Sequence, residues 1–122
     1  MIPSPEAQAI LNKINYATLA TTDVDGNPWN SPVYCAYDKG YNVYWGSHAE
    51  SQHSKNIRAS GKVFIVVYDS TAEPGQGEGV YIQAQVVELT HPEEIVAAHA
   101  LWRKTTGRNV CGGGRCSCCL LA

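Results

Sequence analysis

The sequence predicts one mainly-β domain, an antiparallel sheet closing into a small barrel with helices at its flanks. Three observations lead there. Five short runs rich in β-branched and aromatic residues are separated by tight-turn signals. Helical periodicity is confined to the two ends and one short middle segment. The chain has 122 residues, which suits a single domain with a modest core.

The elements are justified one by one along the chain. Ser4-Pro5-Glu6 opens a helix, with Ser4 as cap and Pro5 in the first turn. Ala7, Ile10, Leu11 and Ile14 continue it at helical spacing to about Asn15. Residues 16–22, YATLATT, are small and β-branched and read as a strand. Residues 23–27 form a hairpin turn in which Gly26 is free to take positive φ. Residues 28–36 are a second strand whose prolines suggest an edge or a bulge. Asp38-Lys39-Gly40 turns the chain into a third strand over 41–45. A short helix is expected over 51–59, with Ile57 facing inward. Residues 62–69, KVFIVVYD, form a continuous apolar run expected to be buried on both faces. Residues 70–78 are a loop. Its Pro74-Gly75-Gln76-Gly77 is not followed by a helix, so it is a flexible lid or turn and not a phosphate loop. Residues 79–89 alternate as a long strand. Thr90-His91-Pro92-Glu93 then enters a last helix that runs to about Thr105 and stops at Gly107, with Ile95, Ala98 and Trp102 as its apolar stripe.

Composition narrows the function classes. Hydrophobic residues make up 44% and charged residues 16%, a globular balance whose neutral surface favours an oligomer. Net charge is −2 with no basic block, which argues against a nucleic-acid partner. No apolar run is long enough to span a membrane, and the first residues lack a basic segment followed by an apolar one. A cytoplasmic location is the resulting expectation. Cys35 stands alone in a strand as a small buried hydrophobe. Cys111, Cys116, Cys118 and Cys119 crowd the last twelve residues. Without a signal peptide a disulfide framework is a poor reading. Cys-x-Cys-Cys is not a zinc spacing. Cys119-Leu120-Leu121-Ala122 matches a prenylation box only by letter. The preferred reading is that residues 1–110 are the domain and 111–122 an atypical tail, truncated or frame-shifted.

The most informative stretch is 41–69. It reads strand, polar loop, short helix, strand. The loop carries Ser47, His48, Ser51, His53 and Lys55 where the helix begins. Helix-start N–H groups lack internal partners and carry partial positive charge, so such a place can hold an anion. This is the phosphate end of a nucleotide-like cofactor site. Read from spacing alone, His53 is an ordinary helix-start histidine sooner than a phosphate ligand, and Ser47 and Ser51 could cap the helix. Capping and anion binding use the same groups. Arg58 reads as solvated helix face. Asp69 and Glu78 form no obvious acid–base pair.

Four segments carry a family resemblance: ATLATTDVDGNPWNSPVYCAYD, NVYWGSHAESQHSKNI, KVFIVVYDST and GEGVYIQAQVVEL. In this order and spacing the chain resembles the FMN-binding split-barrel proteins related to pyridoxamine 5′-phosphate oxidase. The likeness covers roughly residues 14–107.

The resemblance implies a six-stranded antiparallel split β-barrel of Greek-key type. It implies a homodimer with one FMN in each of two interface clefts. Ser31, Pro32 and Val33 to Ala36 would lie along the flavin ring and ribityl chain. From its strand position Trp45 is a candidate stacking ring, although a tryptophan more commonly packs in the core. Gly46 and Ser47 would lie near the phosphate. Ser51, Gln52 and His53 fall where the oxidases have a Ser-Arg-Lys clamp, and Lys55 is the substitute charge. Glutamine cannot imitate a bidentate arginine, whereas His53 can donate to phosphate. The implied function is a flavin-mediated hydride or electron transfer on a small molecule, an FMN-dependent oxidoreductase. The flavin would carry the chemistry, so no catalytic residue is named. The alternative is a non-catalytic flavin- or haem-binding or sensor protein, with His48, His53, His91 or His99 as an axial ligand.

Overall fold

The structure, a computed structural model, describes residues 2–107 and the backbone of 116–121. The elements are α1 (Pro5–Lys13), β1 (Tyr16–Thr22), β2 (Pro28–Tyr34), β3 (Ala36–Tyr37), β4 (Val43–His48), α2 (Gln52–Ser60), β5 (Lys62–Tyr68), β6 (Gly79–Glu88), α3 (Pro92–Thr106) and β7 (Cys116–Leu121). The fold is mainly β with flanking helices. All strand pairs are antiparallel, in the order β2-β1-β5-β6-β7-β4-β3. The two ends of that order, β2 and β3, are separated in the chain by Cys35 alone.

Local chemistry sets most boundaries. Ser4 caps α1, its Oγ accepting the Ala7 N–H at 3.2 Å. In the β1–β2 turn the Asp23 carboxylate accepts the N–H groups of Asp25 and Asn27, and Gly26 sits at φ 84°. Helix α2 ends at Gly61, φ 67°, a left-handed cap that suits glycine.

Several expectations are corrected. The second strand does not run unbroken through 28–36, because the chain bends at Cys35, whose N–H donates to the Asn15 carbonyl at 2.8 Å. The third strand begins at Val43 and continues to His48. Asp38 explains the late start: its carboxylate accepts the N–H groups of Gly40 and Asn42, both at 2.9 Å, and this lengthens the turn. Tyr41 takes φ 61° within it. Strand β5 is not covered on both faces. Val63, Ile65 and Val67 are buried, while Lys62, Phe64 and Tyr68 are exposed on the other side. The tail expected to cast doubt on a last strand supplies β7, which lies between β4 and β6. Cys111 lies outside the described residues.

The core sits inside the curved sheet. Leu11, Leu19, Val43, Trp45, Ile65 and Val67 meet there, with Ile57 contributed by α2. Cys35 belongs to it, and burial pushes its thiol up to about 12, so it behaves as the small hydrophobe expected. Trp102 of α3 packs edge-on to Tyr34, with ring centroids 5.5 Å apart.

Ile65 is fully buried and Val24 is 86% exposed. Ile65→Ala is therefore expected to cost about 2–5 kcal/mol in chemical denaturation, and Val24→Ala no more than about 0.5 kcal/mol. Equal costs would contradict this core.

Candidate functional site

The site is the corner where β4 ends and α2 begins. Strand alternation turns Val43, Trp45 and Ser47 inward and leaves Tyr44, Gly46 and His48 on the other side. Helix α2 lies over β1 with an inner face that is polar as well as apolar. Its buried residues are His53, Ser54, Asn56 and Ile57. Their spacing of one and three positions places them on one side of a short helix.

Those buried polar groups satisfy one another. His53 Nε2 is 2.7 Å from Ser47 Oγ and 3.4 Å from Ser51 Oγ. The Ser51 hydroxyl donates to the His48 carbonyl at 2.8 Å and lies 2.8 Å from Ser54 Oγ. A hydroxyl has one proton, so Ser54 is the donor of that second bond. Gln52 Nε2 donates to Asn56 Oδ1 at 2.8 Å, and Asn56 Nδ2 donates to Thr21 Oγ1 at 3.0 Å. The last bond fastens α2 to β1.

The N-terminus of α2 has no side-chain cap: Ser51 occupies the cap position but spends its hydroxyl elsewhere. The amides of the first turn are thus open to an acceptor. Permanent charge is another matter. Lys55 is half exposed and points at Glu50, 3.9 Å away and itself 86% exposed, a pair of little energetic weight. The Arg58 guanidinium donates to the Ala49 carbonyl. Burial lowers the His53 pKa, which keeps the imidazole neutral. The corner therefore offers donors without a cation.

Of the expected cofactor residues, Ser47, Ser51, Gln52 and His53 come together here. Gly46 and Ser47, expected as a pair, fall on opposite faces of β4, because side chains alternate along a strand. Trp45 is 1% exposed in the core, which leaves its ring no open face for a ligand. Val33 is likewise a core residue. Ser31 is half-buried and Pro32 exposed on β2, a strand that α2 also touches. Lys55 is turned out. The sequence reading missed Ser54, Asn56 and Thr21. The helical spacing of polar groups in QHSKN was the signal that could have found the first two. Among the described residues, no group of three or more His, Cys, Asp or Glu side chains could hold a metal ion, and no helix is long and apolar enough to cross a membrane.

Comparison with known proteins agrees with the architecture. The family model for Pyridoxamine 5′-phosphate oxidase matches residues 3–110. No curated protein matches the chain. Among solved structures, the haem storage protein HutZ from Vibrio cholerae superposes with a TM-score of 0.84 at 17% identity, over 99% of this chain and 89% of that one. A haem binding protein from Mycobacterium smegmatis gives 0.77 at 22% identity, over 99% and 52%. A NimC/NimA family protein from Clostridium acetobutylicum gives 0.71 at 16% identity, over 96% and 78%. At these identities the likeness is one of fold.

The depressed His53 pKa has a sign that can be tested. The unfolded chain takes up a proton near the ordinary value of 6.5 while the folded chain resists it. Stability from His53 is therefore present above that pH and lost as pH falls below it. The stability gap between the wild type and His53→Gln should shrink on going from about pH 7.5 to about pH 5, read by urea denaturation. A gap independent of pH would exclude a buried neutral imidazole.

Proposed function

This chain belongs to the pyridoxamine 5′-phosphate oxidase family, and from that premise we propose that it is a non-catalytic holder of a flat anionic prosthetic group, haem in the first place. On this reading the strands form a six-stranded split barrel of Greek-key type, β2 and β3 counting as one strand bent at Cys35. The observation that carries the reading is the corner itself: hydroxyls, open helix amides and a neutral imidazole, with Lys55 and Arg58 directed elsewhere. An enzyme that keeps its cofactor through many turnovers gains from a permanent cationic clamp. A holder that must release its cargo gains from neutral donors. The names of two structural neighbours, a haem storage protein and a haem binding protein, support the same side.

The residues present fit such a group through the acidic end. Ser47 and the first amides of α2 would receive a propionate or a phosphate. His48, the exposed imidazole that ends β4 beside this corner, would be the residue to hold haem iron. When bound, haem would supply reversible ligand binding and electron transfer, and FMN would supply hydride or electron transfer. FMN is the second reading, favoured by the position of Ser47, Ser51, Gln52 and His53 at a helix start, with Ser31 and Pro32 toward the ring. It would make the chain an FMN-dependent oxidoreductase acting on a small molecule.

Two copies are expected to pair. Phe64 and Tyr68 of β5 and Tyr81 of β6 share the outward side of the sheet, at 40%, 49% and 69% exposure. The Phe64 and Tyr81 rings are 6.4 Å apart. Contiguous exposed aromatic surface of this kind marks an interaction face.

The visible spectrum of the purified protein, before and after addition of haem or FMN, decides between the readings. A Soret band that weakens in His48→Ala is the expected outcome. Twin flavin bands that bleach with NADPH without oxygen would overturn the non-catalytic reading in favour of the oxidoreductase. A protein that takes up neither group would remove both. In the FMN case, Ser47→Ala with His53→Ala should weaken binding by about 1.5–3 kcal/mol, the size of a hydrogen bond to a charged group, measured by flavin fluorescence titration.

A further inference from the structure

One ring nitrogen faces both hydroxyls of the corner between β4 and α2. His53 Nε2 is 2.7 Å from Ser47 Oγ and 3.4 Å from Ser51 Oγ. The Ser51 proton is committed to the His48 carbonyl, and Ser54 donates to the Ser51 oxygen. The Ser47 proton is not committed. It points at Nε2 when that nitrogen is bare and away from it when Nε2 carries a proton. Ser47 and His53 are both buried, at 8% exposure each.

The surroundings add no charge to this pair. Helix α2 lies against β1, β2 and β6. Strands β1 and β2 carry phenols but no carboxylate, imidazole, lysine or arginine. Strand β4 contributes His48, on its other face, and β6 contributes Glu88, which is exposed. On α2 and its entry, Lys55 is directed at Glu50 and Arg58 at the Ala49 carbonyl. None of these groups perturbs His53, whose pKa is lowered by burial alone.

We propose that the corner takes up its anion together with a proton, which settles on His53, so that binding tightens as pH falls. The proposal rests on the reading of this corner as the end of the site that receives an acidic group, and adds the regulation of that site. An anion held by the first amides of α2 and by Ser47 needs the Ser47 hydroxyl to donate outward. Ser47 can do so only when Nε2 donates to it. An imidazolium guarantees that arrangement, since both of its nitrogens donate. It also stands one hydroxyl away from the anion, in a buried place where salt screens charge weakly. Without an anion, nothing offsets the cost of burying the imidazolium, and His53 stays neutral below the ordinary value of 6.5. The anion supplies the offset and raises the pH at which the proton is lost. Affinity is therefore greatest below the lower of these two values, falls across the interval between them and levels off above the higher. A bound acidic group would be released as pH rises.

The test uses the full chain and sulfate, whose charge is constant from about pH 5 to about pH 8, at fixed ionic strength. Sulfate should bind at least about tenfold more tightly at the lower pH, followed by NMR titration. The His53 ring resonance should titrate at a higher pH in saturating sulfate than in its absence. His53→Gln keeps a donor for Ser47 without a titratable group and should bind sulfate equally at both pH values. Binding that does not vary with pH, an unmoved His53 titration, or the same pH dependence in His53→Gln would overturn the proposal and leave the corner standing as an anion site. No sulfate binding at either pH would overturn the proposal and the anion corner with it.

Discussion

Between Tyr34 and Ala36 the chain leaves one side of the sheet and joins the other. Only Cys35 lies between them. Strand β2 pairs with β1, while β3 pairs with β4, so one covalent step links the two ends of the strand order. The bend is held by the Cys35 N–H on the Asn15 carbonyl and by burial of the residue among core side chains. The interior of the sheet is arranged around this step. Because β3 and β4 return across the core, Trp45 can fill the interior and Ser47 can arrive under α2. If the strand ran straight through Cys35, β4 would have no inner face to present. The small, apolar thiol suits a place where two strand segments meet with no room for a larger side chain.

Much of the fold was legible because local chemistry and tertiary packing agree. Ser4-Pro5 at a helix start, Gly26 in a hairpin and Gly61 after a helix are each positions where backbone geometry restricts the residue. Strand β1 matched to the residue for the same reason, being flanked by a helix end and a turn. The misreadings fall where a longer-range contact overrides the pattern. Asp38 takes two backbone N–H groups and lengthens a turn that looked three residues long. The run KVFIVVYD looks doubly buried because it is apolar throughout, yet apolarity cannot say whether the second layer belongs to the same chain. Phe64 and Tyr68 remain open in a single copy.

The candidate site was legible in place and not in chemistry. Small hydroxyls and imidazoles before a helix announce a polar corner, and Ser47, Ser51 and His53 do meet there. The direction of each side chain was not readable. Alternation along β4 separates Gly46 from Ser47, and one step along α2 separates buried His53 and Ser54 from exposed Lys55. A lysine two positions from a histidine on a helix lies on a different face. Spacing thus argued against Lys55 as the substitute charge from the start, and the arrangement of the corner agrees.

The corner can still receive an anion, through a constraint on protons. A neutral His53 with its proton on Nε2 donates to Ser47 Oγ, and the Ser47 hydroxyl is then free to donate outward. With the proton on Nδ1, Ser47 must donate to Nε2 instead and has nothing left for a ligand. An anion therefore selects one tautomer and keeps the 2.7 Å contact intact. The imidazole N–H also polarises the serine hydroxyl, which makes it a better donor than an isolated one. Protonation of His53 fixes the same arrangement and adds charge, while burial opposes it. A grip on an anion built this way would be modest and proton-dependent. A buried arginine would hold the same anion at every pH and release it slowly. A histidine that burial keeps neutral would let such binding be undone by solvent and pH.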